Sequence, residues 1–367
     1  MPATKIYKAD KLFTGEQWLV DQFIMVTDRI IEEVIPASSF SGNLFADHFP
    51  GCFIAPAFID LQIYGADKKL FAVYPEKDSL EKLRDYCYGG GAAYCLPTVA
   101  TNTVDVFFKC IDAIKEYWKS GGEGILGLHI EGPWINPVKR GAHIESFIHA
   151  PTIGEVEELV NYGKDVIKMI TLAPEVCGSE VIDFILKHNI VVSAGHSNAT
   201  YTEAMSGFSK GIKTATHLYN AMSSLQHRQP GLVGAIFNNE NVMSSIIADG
   251  YHVDFEAIQI AKKIMSRRLF AITDAVTETT EGHYQHYRVG DKYEAAGILS
   301  GSALTMMKAL QNLVNKVGVA LEDGLLMCSL NPAKVAGIDN QLGKIKKGYK
   351  AKMVVMNDNM DLVKLIV

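Results

Sequence analysis

The chain has 367 residues, 48% of them hydrophobic, which is enough to bury a sizeable core in one large domain or two smaller ones. Its 35 basic and 41 acidic residues leave a formal charge of -6, which excludes the electropositive footprint of a nucleic-acid or anionic-membrane binder. No window approaches the ~18 uninterrupted apolar residues of a bilayer span, MPATKIYKAD lacks the apolar core of a signal peptide, and the six cysteines show no CxxC spacing, so a reduced, cytoplasmic protein is expected.

From Lys5 to about Cys52 the runs KIYKADKLFTG and QFIMVTDRIIEEVIP are short and alternating, and HFPGCF is a turn, so this part predicts small antiparallel strands. From Ile54 to Gly337, strand-like apolar runs alternate with helical periods. The strands are FIAPAFIDLQ, AAYCLPT, ILGLHIE, VIKMITLAP, NIVVSAGH, KTATHL, VMSSIIADG and LFAITDA. Helical stretches such as TVDVFFKCIDAIKEYWKS and FEAIQIAKKIMS fall between most of them. Eight such units over roughly 280 residues predict an α/β chain folded as a (β/α)8 TIM-like barrel. Beyond NPAKVAGID the pattern returns to short strands. Residues 1–53 and 338–367 are therefore expected to form one small β-sandwich domain from both chain ends, with 54–337 as the barrel.

Active sites of such barrels lie at the C-terminal strand ends. There the sequence gathers Glu131, His196, His217, Asp249, His252 and Asp274. Any one of these taken alone is more often a helix cap or a solvated turn; the case for chemistry is that they converge on one rim. Two neutral imidazoles and a carboxylate suit zinc or another divalent transition metal, with positions left for water and substrate. A carboxylate on the last strand would take the proton of the metal-activated water. His129, two residues before Glu131, is read as a core histidine pointing to the opposite side of its strand, and His48, His149, His188, His283 and His286 as solvent-exposed. Ser300 or Ser302 is expected to cap a following helix. The first strand closes on Asp60, Gln62 and Tyr64, and Asp60 is expected to partner backbone or a neighbouring loop.

The blocks FIDLQ, GLHIEGPWINPVKRGAH, VSAGHSNATY, THLYNAMSSLQHRQPGLVG, IADGYHVD, ITDAV and GSALTM resemble, in order and spacing, the N-acetylglucosamine-6-phosphate deacetylases of the amidohydrolase superfamily. The resemblance runs from about Pro56 to Gly348. It implies a metal-dependent hydrolase that removes acetate from the amide nitrogen of a phosphorylated amino sugar, a small-molecule substrate, with no nucleic-acid or membrane partner. It implies Glu131, His196 and His217 as holders of one divalent ion per subunit, zinc ahead of iron, cobalt or manganese. By the same likeness Asp274 is the general base and acid, and His143 touches the sugar or the amide carbonyl. His252 and Arg228 contact phosphate and sugar, helped by the backbone amides near Asn220 and Ala221. A homodimer is implied too, in which Arg228 or His227 acts within its own subunit or across the interface.

The phosphate assignment also has a physical basis. The chain has no Walker-type glycine loop, whereas arginine offers a planar fork to phosphate oxygens and loop amides add neutral donors. Where many amidohydrolases end the first strand with His-x-His and bind a second metal, this chain has Gln62 and Tyr64, both poor transition-metal ligands. A one-ion site follows, with both residues expected to hydrogen-bond the catalytic water or the substrate side of the pocket. Two alternatives stand beside this reading. One keeps the metal but changes the substrate to another N-acyl amino sugar or a cyclic amide. The other is a sugar-phosphate sensor or scaffold without catalysis, against which the joint presence of Glu131, His196, His217 and Asp274 weighs.

Overall fold

The eight apolar runs become eight parallel strands: β1 (Phe58–Ile63), β2 (Ala92–Ala100), β3 (Leu128–Glu131), β4 (Ile167–Leu172), β5 (Val191–Ala194), β6 (Thr214–Ala215), β7 (Met243–Ile247) and β8 (Leu269–Ile272). They are hydrogen-bonded in that order. The ring closes where the Asp274 N–H donates to the Gln62 carbonyl at 3.0 Å and the Tyr64 N–H to the Ala275 carbonyl at 2.9 Å. Every residue of β1, β3 and β8 is buried, because helices cover the outside and side chains fill the inside. That double burial is why these strands are continuous apolar runs rather than alternating ones. The structure is a computed structural model that describes residues 4–39 and 46–367; residues 1–3 and 40–45, assigned above to the small domain, lie outside the described residues.

A helix follows each strand: α1 (Lys77–Gly89), α2 (Val104–Lys119), α3 (Ile153–Tyr162), α4 (Ser179–Lys187), α5 (Tyr201–Ser209), α6 (Gly231–Asn238), α7 (Phe255–Met265) and α8 (Met306–Asn315). In α2 the buried Phe107, Cys110, Ile111, Ile114 and Tyr117 recur at three- and four-residue spacing, while Asp105 and Lys119 complement the two ends of its dipole. α5 opens with a capping box between Thr200 and Glu203.

The sequence pattern did not anticipate the three-stranded antiparallel sheet between β8 and α8, made of Tyr287–Val289, Lys292–Ala295 and Ile298–Ser302. It also corrects the expected cap of α8. Thr305 caps that helix by accepting the Lys308 N–H, whereas Ser300 and Ser302 belong to the preceding strand, which must finish before the helix can start. Ser302 instead bonds the Thr273 carbonyl at the barrel end, and Ser300 bonds His286.

The chain ends meet in one six-stranded sheet, in which Lys5–Phe13, Trp18–Thr27, Ile30–Pro36 and Ala46–Pro56 join Met353–Asn357 and Leu362–Ile366. The sheet curls over its own core, which includes Tyr7, Leu12, Ile24, Ile31, Met353 and Val355. Across the curl the Ile31 N–H reaches the Tyr349 carbonyl and the Ala351 N–H the Arg29 carbonyl, both at 2.8 Å. The two C-terminal strands would be marginal alone in water, and they are held by pairing with the four N-terminal ones. Strand Ala46–Pro56 runs past residue 53, pairing Ile54, Ala55 and Pro56 with Val355, Val354 and Met353. Among the described residues, no helix is long and apolar enough to cross a membrane.

Candidate active site

Glu131 is the last residue of β3, while His196, His217 and Asp274 each stand two residues beyond the ends of β5, β6 and β8. All three of the latter adopt left-handed backbone, with φ of 47°, 38° and 54°. Non-glycine residues seldom hold that conformation unless their surroundings impose it, and such strain concentrates at functional sites. Here the turn aims each side chain into the barrel mouth. The approach to His196 needs glycine: a Cβ on Gly195 would lie 2.7 Å from Thr171 and 2.9 Å from Thr216. Gly132, after Glu131, has φ of +79° and would put a Cβ 2.1 Å from the Thr101 hydroxyl.

The side chains converge tightly. Glu131 Oε1 lies 3.2 Å from His196 Nε2 and 3.1 Å from His217 Nε2, and the two nitrogens are 3.1 Å apart. His196 Nδ1 donates to the Lys139 carbonyl at 3.0 Å, which leaves a lone pair on its Nε2, directed at the other two groups. Three electron-rich atoms facing one another in a buried place call for a positive charge among them, and one carboxylate with two imidazoles is a donor set that a divalent transition metal accepts. His143 extends the cluster, since Glu131, His143 and His196 also offer ligand atoms within 4.8 Å of one another. Its Nε2 is 3.4 Å from Glu131 Oε2, slightly farther than His217 is from Oε1, and its Nδ1 is held by Thr101 Oγ1 at 2.6 Å.

Gln62 and Tyr64 stand beside the two carboxylates. Gln62 Nε2 is 3.0 Å from Glu131 Oε1 and 2.8 Å from Asp274 Oδ1, and the Tyr64 hydroxyl donates to Glu131 Oε2. Both residues therefore tie the two carboxylates together, and Tyr64 also lines the cleft above them. Asp60 accepts from Thr273 and from the Gln62 N–H, anchoring β1 to β8.

Charge follows these contacts. Burial alone would raise the Glu131 carboxyl, yet the neighbouring imidazoles of His196, His143 and His217 hold it well below the usual range. Burial raises the Asp274 carboxyl, opposed by His252 and His217. The His143 imidazole is pushed down to about 4 by burial and by His196, so it is neutral at ordinary pH.

A cleft of about 190 Å³ opens over the cluster, and Glu131, His143, His196, His217, His252 and Asp274 line it with Asn220 and Ala221. His252 sits over Asp274, its Nε2 3.8 Å from Oδ2, and is clamped by Asp249 at 2.6 Å. The Asn220 N–H is spent on the His217 carbonyl, while Ala221 stands in the left-handed region with φ of 49°. Arg228 and His227 are exposed and do not line the cleft.

Two histidine expectations need correction. His286 is buried against Ser300 rather than exposed, because the three-stranded insert packs over it. His129 is a core histidine, but residues two apart in a strand share a face, so it lies on the same side as Glu131 and one layer deeper. There its Nε2 meets Thr171 at 2.8 Å and its Nδ1 the Leu61 carbonyl at 3.2 Å. Thr101 and Tyr284, which position His143 and its loop, carried no sequence signal, since a threonine at a strand end and a loop tyrosine are ordinary in any barrel.

Residues 53–367 match the profile of the amidohydrolase family. An N-acetylglucosamine-6-phosphate deacetylase of Haemophilus influenzae is 31% identical to this chain, covering 97% of it and 96% of its own length. An N-acetylgalactosamine-6-phosphate deacetylase of Escherichia coli O157:H7 is 29% identical, covering 97% and 96%. Among solved structures, an N-acetylglucosamine-6-phosphate deacetylase from Pasteurella multocida superposes with a TM-score of 0.95 at 30% identity, covering 100% of this chain and 98% of its own.

Proposed function

The chain belongs to the amidohydrolase family, in its group of N-acetylglucosamine-6-phosphate deacetylases, and we propose that it hydrolyses the acetamide of N-acetylglucosamine 6-phosphate to glucosamine 6-phosphate and acetate. The observation that carries this reading is the meeting of Glu131, His196 and His217 within 3.2 Å on a barrel rim that also holds Asp274. Those three residues hold one divalent ion per subunit, zinc in our reading. When bound, such an ion polarises the amide carbonyl and lowers the pKa of a coordinated water toward neutrality.

Asp274 is the base and acid: its carboxylate takes the proton of the attacking water and returns it to the amine nitrogen as the carbon–nitrogen bond breaks. Thr101 Oγ1 holds Nδ1 of the neutral His143 at 2.6 Å, and in this reading the ring carries its proton on Nε2, aimed at a carbonyl oxygen that gains negative charge. His252, close to Asp274, contacts the sugar near the reacting bond, with Gln62 holding the carboxylates behind it. Arg228 and the backbone near Asn220 and Ala221 serve the phosphate, Arg228 within its subunit or across the interface of a homodimer. Residues 54–337 form the catalytic unit, residues 1–53 and 338–367 the small domain, and the compartment is the cytoplasm.

A second reading, the 4-epimer N-acetylgalactosamine 6-phosphate, is supported by the Escherichia coli relative at a comparable identity. Metal content and amine release, measured on the purified protein with both sugars, test the proposal. One equivalent of metal with faster turnover of the glucosamine compound supports the first reading, and a preference for the galactosamine compound supports the second. A protein with no metal and no turnover when supplied with zinc, iron or cobalt would sink both.

A further inference from the structure

A small cavity of about 50 Å³ adjoins the cleft, sharing Tyr64, Glu131, Ala142, His143 and Ser300 with its wall. Leu70, Ala72 and Ala100 give the rest of its lining an apolar wall, which Thr98, Tyr284 and His286 complete. Most polar atoms around it are already engaged within the protein, His286 Nε2 being the exception among the described residues. Tyr64 Oη is bonded to Glu131, His143 Nδ1 to Thr101, Tyr284 Oη to the Thr101 carbonyl and His286 Nδ1 to Ser300. A water needs roughly 10–15 Å³ and two to four polar partners, so this space is too large for one water and too poorly supplied with partners for several. It suits an apolar group of one carbon and crowds one of two.

The proposed substrate has one apolar end, the group attached to the carbonyl carbon, and that carbon must lie beside Glu131 and His143. We propose that this cavity is the acyl subsite, and that Leu70, Ala72 and Ala100 set the length of acyl chain that is hydrolysed. The inference rests on the deacetylase reading and deepens it: the sugar and phosphate occupy the larger cleft toward His252 and Ala221, while the acyl methyl enters the smaller space. Acetyl fits, propionyl is crowded, and butyryl is excluded.

The test compares N-formyl, N-acetyl, N-propionyl and N-butyryl glucosamine 6-phosphate, following release of the free amine in wild type, Ala72→Leu and Leu70→Ala, each checked for native circular dichroism. Ala72→Leu fills the space and is expected to lower kcat/KM for the N-acetyl compound about tenfold or more relative to the N-formyl one, since one methylene in a pocket is worth ~10–200-fold. Leu70→Ala enlarges the space and is expected to raise the N-butyryl to N-acetyl ratio by a similar factor. The second variant decides the matter should the first not fold. An active wild type whose variants change all four rates in parallel would overturn the acyl subsite and leave the deacetylase reading standing. A folded, metal-loaded wild type that releases amine from none of the four overturns both.

Discussion

Two layers of polar side chains occupy the inside of the same barrel, and they are assembled differently. In the deeper layer His129, Thr98, Thr171, Thr216 and Ser193 form a chain of neutral hydrogen bonds, with steps of 2.8 Å from His129 to Thr171, 2.7 Å from Thr171 to Thr216 and 2.6 Å from Thr216 to Ser193. Burial pushes the His129 imidazole down to about 4, so this layer carries no charge on its histidine at neutral pH. Two residues farther along β3, at the rim, Glu131 meets several imidazoles, three residues hold left-handed backbone, and the buried Nδ1 of His217 has no hydrogen-bond partner among the described residues. Buried polar groups that satisfy one another stabilise a fold; groups that crowd without satisfying one another are stabilised by what they bind. Composition does not distinguish the layers, since both contain histidine and both are buried. The pairing does.

The sharpest way to break this contrast is at the rim. Asp274→Asn removes the proposed base but keeps the shape, and kcat is expected to fall by ~10²–10⁴-fold while metal content and thermal midpoint stay at the wild-type level or rise. Steady-state kinetics, metal analysis and calorimetry on the same sample check it. A large loss of stability with it would show that the rim, like the layer below, is built for the fold.

Asp60 tests whether the deeper layer resists charge. Burial pushes its carboxyl up to about 7, against hydrogen bonds from Thr273 and Gln62 that favour the anion. The folded chain thus holds this proton to higher pH than the unfolded chain does. Stability from this group is complete below about pH 4 and is lost as pH rises to about 7, a change of about 4 kcal/mol from a displacement of about three pKa units. Asp60→Asn mimics the protonated form, so it should match wild type near pH 4 and exceed it at pH 8 in denaturant titrations. Equal stabilities at pH 8 would mean that the carboxylate is comfortable where it is.

A smaller effect is expected for His129→Leu. It removes the side-chain partner of the Leu61 carbonyl and one of the two partners of the Thr171 hydroxyl, which keeps Thr216, at a cost of ~1–3 kcal/mol for a buried partner left unmade. Urea unfolding measures the loss, and kcat of the folded fraction should stay near wild type. A kcat loss comparable to that of Asp274→Asn would merge the two layers into one functional unit.

The barrel was legible because burial on both faces writes each strand as a continuous apolar run, and the rim because its histidines and carboxylates stand at the ends of those runs. The tight steering was not legible, since nothing local in AGH, ATHL or ITDA announces a left-handed residue two positions past a strand. The insert 287–302 escaped because its strands are short, the first fully exposed and the others only partly buried, so burial imposed no alternating pattern on them. His286 was misjudged for the same reason: what buries it is that insert. The side of the strand on which His129 lies was available from alternation alone, and its role from its partners, which only the fold supplies. Gln62 and Tyr64 were visible as replacements for ligands, but their bonds to Glu131 and Asp274 join strands far apart in sequence.

Tyr64 stands at the seam between the two layers and gives the smallest effect. Its hydroxyl donates to Glu131 Oε2, lies 2.8 Å from Gln62 Nε2 and 3.4 Å from Asp274 Oδ1, so it brings the saturated hydrogen bonding of the deeper layer up to the carboxylates of the rim. By occupying Oε2 it turns Oε1 toward His196 and His217. Tyr64→Phe keeps the ring and removes only this donor, and loss of such an outer partner typically lowers metal affinity ~10–100-fold. We expect the lower end of that range, because Gln62 still holds Oε1 at 3.0 Å. Competition with a chelator of known affinity measures it, and the fold should be unaffected. An unchanged affinity would mean that the deeper layer alone fixes Glu131, whereas a loss as large as that of Glu131→Gln would make Tyr64 part of the binding group itself.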